Sequence, residues 1–263
     1  MSAPTLRVAA VQAASGLDPT ANRDLLRRLV AAHGAETDLV VLPEAFARDF
    51  GEAGSDVSGF AEPLDGPFSS TLAEAASDHG TTVVAGMFEQ GPDPERPFNT
   101  LLMRGKSEAS YRKMHLYDSF GYRESDRLTA GAIAPVVVEV AGWRVGLMTC
   151  YDLRFPELAR ALVDAGAEVL VVPAAWVAGR RKVHHWRTLL IARAIENTAY
   201  VVAAAQSAPR YCGHSLVVDP FGEVVAEAGA GDGGEPEAVR AELSREVLDE
   251  ARRVNPSLAN RRM

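Results

Sequence analysis

Trp143-Arg144-Val145-Gly146-Leu147-Met148-Thr149-Cys150, continued by Tyr151-Asp152-Leu153-Arg154-Phe155-Pro156-Glu157, is the stretch on which the reading of this chain turns. Its first half reads as a buried apolar strand that stops on a cysteine. A helical pattern follows from Pro156, a residue suited to the first helical position because the N–H it lacks would have gone unused there. Strands that feed helices in this way belong to layered α/β folds. The junction sets the Cys150 thiol among unpaired backbone N–H groups, which favour negative charge on a thiolate or on an oxyanion formed beside it. Cys212 is the one other cysteine, so neither a disulfide framework nor a multi-cysteine metal site is available. Alone, Cys150 fits a small buried hydrophobe equally well. Two further junctions of the same kind decide between these readings.

The first is Asp38-Leu39-Val40-Val41-Leu42-Pro43-Glu44-Ala45-Phe46. Four apolar residues read as a buried strand, which the proline ends because it has no N–H for the ladder. Glu44 then stands at the strand's C-terminal end in an apolar neighbourhood. Burial raises a carboxyl pKa, which suits a group that takes and returns a proton near neutrality. The second junction closes a hairpin: Asn99 to Met103, a turn at Arg104-Gly105-Lys106, then Glu108 to Arg112 delivering Lys113. A lysine there serves as a fixed positive charge that lowers a nearby thiol pKa and neutralises a developing oxyanion.

The rest of the chain alternates in the same manner. Strands are expected at Leu6–Gln12, Leu39–Leu42, Thr82–Phe88, Val169–Val172 and Tyr200–Ala204, with hairpins at Val136–Met148 and Ser215–Ala226. Helices are expected at Pro19–His33, Ser69–His79, Pro156–Ala165 and His184–Thr198, with Gly80 and Gly166 as stop signals. Ala228 to Pro236 is Gly-rich and acidic and reads as a surface loop. The segments Asp49–Pro67 and Tyr117–Thr129 are expected to shape a pocket. No linker or repeat divides the 263 residues, so residues 1–263 read as one domain, large enough to bury a substantial core at 47% hydrophobic content.

With 27 basic against 35 acidic residues the net charge is −8, which argues against a nucleic-acid surface. The exception is a short basic patch, Arg180-Arg181-Lys182 with His184 and His185, read as a solvated face or a substrate entrance. No apolar run reaches membrane-spanning length and no signal-like core opens the chain, so a cytoplasmic, reducing location is expected, with Cys150 kept as a thiol. Adjacent histidines point to different faces of a helix, and no HxxxH pattern completes a ligand set around His115 or the His184–His185 pair, so no metal is expected.

A glutamate, a lysine and a cysteine, each closing its own strand in that order, resemble the nitrilase superfamily of carbon–nitrogen hydrolases. Leu42-Pro43-Glu44, Tyr111-Arg112-Lys113-Met114-His115-Leu116 and Thr149 to Glu157 carry the match. It extends through Ala192-Arg193-Ala194-Ile195-Glu196-Asn197, Gly213 to Pro220 and Asn260-Arg261-Arg262, nearly the whole chain. The resemblance implies a four-layer α-β-β-α sandwich of two mixed sheets, paired as a homodimer or higher homo-oligomer. It implies that Cys150 attacks an amide carbonyl, that Glu44 is the general base, and that Lys113 with the Tyr151 N–H holds the oxyanion. No cofactor is implied, and the partner is a small-molecule amide bearing a carboxylate, hydrolysed through a thioester with release of ammonia.

Family members carry a second glutamate beyond the lysine. Glu124 is the best match here, with Asp118 and Asp126 as rivals. Arg154 is a candidate for a substrate carboxylate through its planar fork; the competing reading is an ion pair with Glu157 or another nearby acid. His214 is expected beneath the sheet rather than in catalysis, and a papain-like Cys–His pair would leave Glu44 and Lys113 without a purpose. The cysteine and Ala192–Asn197 motifs look most like the Nit branch, with its deaminated glutathione amidases and omega-amidases. An N-carbamoyl amino acid amidohydrolase or a nitrilase with the same triad is the alternative within the superfamily. A non-catalytic binding or scaffold homologue is the alternative outside it.

Overall fold

The computed structural model describes residues 5–262. Along the chain come β1 (Thr5–Gln12), α1 (Pro19–His33), β2 (Leu39–Val41), α2 (Pro67–Asp78), β3 (Thr82–Glu89), β4 (Phe98–Gly105) and β5 (Ala109–Arg112). A short hairpin of β6 (Asp118–Ser119) and β7 (Tyr122–Arg123) follows, then β8 (Val136–Val140), β9 (Trp143–Leu147), α3 (Pro156–Asp164) and β10 (Val169–Ala174). The chain continues through α4 (Lys182–Asn197), β11 (Tyr200–Ala205), β12 (Leu216–Val218), β13 (Val224–Glu227), β14 (Glu237–Ser244) and α5 (Arg245–Val254).

The long strands form two six-stranded mixed sheets, in the orders β14-β1-β2-β3-β4-β5 and β13-β12-β11-β10-β9-β8. Each has three parallel strands at its centre, β1-β2-β3 in one and β9-β10-β11 in the other, flanked by antiparallel neighbours. Alternation along the strands sorts the apolar residues into layers. Val8, Leu39, Val41 and Val84 face the second sheet in the main core. Val11, Val40, Leu42 and Val83 face outward against Leu26, Leu29 and Val30 of α1 and Phe68 and Leu72 of α2. On the far side, α3 and α4 cover the second sheet with Leu158, Leu162, Trp186 and Leu190. The layering is therefore the expected α-β-β-α sandwich.

Local signals explain the helix starts. The Asp18 side chain accepts from the Thr20 N–H at 2.8 Å ahead of Pro19 in α1, and Pro67 and Pro156 open α2 and α3. The sequence reading began α2 two residues late and α4 at His184 instead of Lys182, because neither helix has a capping side chain at its start. Its larger omission is β14 and α5. The β12–β13 hairpin is real, but the chain then returns to the first sheet, where β14 pairs antiparallel along the whole of β1. β14 is an edge strand in which Val239, Ala241 and Leu243 alternate with Arg240 and Glu242, a local strand signal that the sequence reading passed over; only its place beside β1, more than 200 residues earlier in the chain, is beyond local reach.

Candidate active site

All three expected catalytic residues lie at C-terminal strand ends, and the sandwich brings those ends together. Past β2 the chain turns sharply at Ala45, which has a positive φ of 52°. Gly86 of the neighbouring β3 makes room for this turn: a Cβ there would lie 2.4 Å from the Ala45 nitrogen and 2.8 Å from the Glu44 Cα. Glu44 is 1% exposed. Its Oε1 accepts from Asn99 Nδ2 at 2.8 Å and Lys113 Nζ at 3.0 Å, and its Oε2 accepts from the Ala175 N–H at 2.7 Å. Ala175 follows β10, so a backbone donor from one sheet fixes a carboxylate delivered by the other.

Lys113 extends the β4–β5 pairing by one residue, its N–H donating to the Asn99 carbonyl at 2.8 Å. Its ammonium is buried between two carboxylates, donating to Glu124 Oε2 at 2.9 Å as well as to Glu44. Glu124 is held in turn by the Tyr117 N–H. The rivals are engaged elsewhere: Asp118 accepts from Ser125, and Asp126 is ion-paired to Arg123. The structure thus brings Glu124, and neither of the other two, to the lysine.

Cys150 follows β9 and is 7% exposed. Its φ of 45° is a left-handed conformation costly for a residue with a side chain. Asp152, fully buried, braces this turn. Its Oδ2 accepts from the Thr149 N–H at 3.0 Å and the Tyr111 hydroxyl at 2.7 Å. Its Oδ1 accepts from the His115 N–H at 3.1 Å and lies 2.8 Å from His115 Nδ1. One carboxylate therefore ties the residue before Cys150 to the segment just beyond Lys113.

The protonation pattern departs from the sequence expectation in two ways. Burial pushes the Cys150 thiol well up, with the charge of Glu44 adding to it, and Lys113 does not offset them. The lysine therefore does not yield a resting thiolate. Burial also works to raise Glu44, but Lys113 and the Ala175 N–H overcome it and hold the carboxyl below its usual range. Burial and the charge of Glu44 together push Glu124 up against the pull of Lys113, while the two carboxylates hold Lys113 well above its usual value despite burial. The surroundings therefore favour a protonated Cys150 thiol beside an ionised Glu44 carboxylate.

These groups form the floor of a cavity of about 350 Å³. Its walls are aromatic, including Tyr117, Tyr122, Tyr151, Trp176 and Tyr211, and both segments expected to shape a pocket contribute, through Phe50, Glu52, Tyr117, Phe120 and Glu124. Tyr151 is thus a wall residue, in edge contact with Tyr117 at 4.9 Å between centroids. Arg154 is not in the lining. Its guanidinium lies 4.8 Å from the Trp176 centroid, 5.9 Å from that of Phe120 and 6.0 Å from that of Tyr151, and it forms no ion pair with Glu157. Lys182 from the basic patch does reach the cavity. His214, half-buried, bonds to Glu227 at 3.1 Å outside it. Among the described residues no three His, Cys, Asp or Glu side chains are grouped to hold a metal ion, and no helix is long and apolar enough to cross a membrane. The sequence reading missed Asn99, which has no motif of its own; only the strand pairing shows that its amide reaches Glu44.

Residues 7–253 match the family model for carbon–nitrogen hydrolases. A deaminated glutathione amidase from Escherichia coli O157:H7 is 44% identical over 236 residues, 88% of each chain. The crystal structure of XC1258 from Xanthomonas campestris, a CN-hydrolase superfamily protein, superposes with a TM-score of 0.88 at 30% identity over 98% of both chains. That of Saccharomyces cerevisiae Nit3, from the nitrilase superfamily, superposes at 0.86 with 29% identity over 99% of this chain and 97% of its own. The layered fold, the strand-end site and these likenesses agree: the chain belongs to the carbon–nitrogen hydrolase family, is Nit-like within the nitrilase superfamily, and is a carbon–nitrogen hydrolase enzyme.

Proposed function

We propose that the protein hydrolyses the amide of a small carboxylate-bearing molecule by cysteine catalysis at Glu44, Lys113, Glu124 and Cys150. The observation that carries this reading is the buried Glu44–Lys113–Glu124 cluster beside Cys150 on the cavity floor. Glu44 takes the thiol proton as sulfur adds to the carbonyl carbon, and the carbonyl electron pair becomes an oxyanion held by Lys113 and the Tyr151 N–H. The C–N bond then breaks as Glu44 returns the proton to nitrogen, leaving a thioester. Water, deprotonated by Glu44, adds to the thioester; the C–S bond breaks and the proton goes back to sulfur. Glu124 positions Lys113 without joining these transfers. No step calls on a cofactor.

The relative named for deaminated glutathione supports an amide of this class. A primary amide would yield ammonia, whereas an amide joining two fragments would yield an amine, so an assay has to read both. Residues 1–263 act as one catalytic domain in this reading. Self-association as a homodimer or higher homo-oligomer belongs to it through the family resemblance, a cytoplasmic location through the sparse cysteine usage, and sedimentation velocity tests the first. The functional test sets wild type beside Cys150→Ala on deaminated glutathione, an α-keto acid ω-amide, an N-carbamoyl amino acid and a simple nitrile. Cysteine-dependent cleavage of either amide is the expected result. Turnover confined to the carbamoyl compound or the nitrile would move the specificity. Silence on all four would favour a binding homologue.

A further inference from the structure

Three cations other than Lys113 lie at or near the mouth of the cavity, and their surroundings differ. Arg210 is neutralised by Asp49, at 3.1 Å between Nη1 and Oδ1. Arg154 lies outside the lining, with its guanidinium over Trp176 and Nη2 at 3.4 Å from His185 Nδ1. Lys182 lines the cavity, and among the described residues it forms no ion pair with a carboxylate. Its Nζ donates to the Tyr117 hydroxyl at 3.0 Å and sits 3.9 Å from the Phe120 centroid and 5.2 Å from that of Tyr117. One of the three N–H donors is used on a neutral acceptor. The ring faces favour the positive charge and restrict the flexible stem without neutralising it.

The opposite sign dominates the cavity's other unpaired charge. Glu52 is exposed at the rim, and the floor holds two carboxylates on a single lysine. A substrate carboxylate entering such a site is repelled unless a fixed cation receives it. We infer that Lys182, held by Tyr117 and Phe120, is the group that binds the free carboxylate of the substrate and selects anionic amides over neutral ones. This rests on the amide-hydrolysis reading above and supplies its specificity. Burial and the neighbouring Arg154 lower the Lys182 pKa from its usual value. The role expected of Arg154 therefore passes to Lys182, and Arg154 acts behind it as part of the aromatic packing.

The test uses Lys182→Met, which keeps the stem and removes the charge, and Lys182→Arg, which keeps the charge. Substrates are the mono-amide of a five-carbon dicarboxylic acid and the uncharged alkanamide of equal length. Lys182→Met is expected to lower kcat/KM on the acid amide, mainly through KM, at least tenfold more than on the alkanamide; Lys182→Arg recovers part of the loss. Equal loss on both amides, or no loss on either, overturns the inference. A second readout does not depend on turnover: binding of the acid amide to Cys150→Ala protein by calorimetry, with and without Lys182→Met. Weaker binding in the double variant supports the carboxylate role, and unchanged binding overturns it. If wild type turns over neither amide, the proposed reaction fails on this class, while the binding comparison still decides the role of Lys182.

Discussion

Replacing Asp152 by asparagine tests how the site is assembled. The side chain is fully buried, and each of its oxygens serves two groups: Oδ2 the Thr149 N–H and the Tyr111 hydroxyl, Oδ1 the N–H and Nδ1 of His115. Asparagine has a single acceptor oxygen, so its NH2 must face one of these pairs. The Tyr111 hydroxyl can rotate to accept and the His115 ring can change tautomer, but a backbone N–H cannot become an acceptor. One buried N–H, that of Thr149 or of His115, is left unpaired at a cost of about 1–3 kcal/mol, and loss of the charge weakens the surviving bonds by up to about 1 kcal/mol each. The expected destabilisation is about 1–5 kcal/mol. Because one end of the network precedes Cys150 and the other follows Lys113, turnover should fall further than the folded fraction does. Urea unfolding gives the stability change, and kcat measured well below the midpoint gives the positioning effect. A stability loss under about 0.5 kcal/mol, the range of a neutral surface change, with unchanged kcat would refute the bracing role.

The thiols give a second prediction. Burial and Glu44 push Cys150 up, and burial pushes Cys212 up to about 12, so no ultraviolet thiolate band should develop at neutral pH; a band titrating below the usual thiol value of about 8.5 would contradict the resting state described. On the acid side Glu44 is held low, so its ionised form, and with it activity, persists below the usual carboxylate pKa of about 4.3, whereas its share of stability is full above that value and is lost progressively as pH falls from it through the lower folded value. A pH–rate profile of kcat/KM whose acid limb lies above that usual value would count against it. Gly86→Ala should displace Glu44 and lower kcat by roughly a hundredfold, whereas Gly59→Ala, where an added Cβ meets nothing within 4 Å, should not; equal behaviour of the two would sink the close-approach explanation. Arg154→Ala removes cation–π packing worth about 0.5–1 kcal/mol and should slow charged and neutral amides by the same small factor; a loss confined to the charged amide would restore Arg154 as the carboxylate site.

The strand ends carrying Glu44, Lys113 and Cys150 were readable because each combines a short apolar run with a local stop signal, and such signals act within a few residues. The same locality limits what could be read elsewhere. The alternation of Ala, Val and Leu with Arg and Glu in β14 marks a strand, but only β1, its distant partner, sets its place in the sheet. Asn99 gains meaning only when the β4–β5 pairing points its amide at Glu44. Among Glu124, Asp118 and Asp126 the sequence offered three acids within nine residues, and the fold of that loop brought one of them to the lysine.

By itself, then, the sequence determined the layered class, the order of the central strands' residues and the three strand-end side chains that meet at the cavity, because hydrophobic periodicity and turn chemistry are written locally. Tertiary structure decided their ionisation and their neighbours. Whether Cys150 rests as thiol or thiolate, and whether burial raises Glu44 or Lys113 lowers it, depends on the competition between desolvation and charges delivered by separate strands. The choice of Lys182 over Arg154 at the cavity wall is of the same kind. Both residues are legible as cations, but only packing determines which of them faces the substrate, because electrostatic energy depends on distance and burial, which sequence spacing alone does not supply.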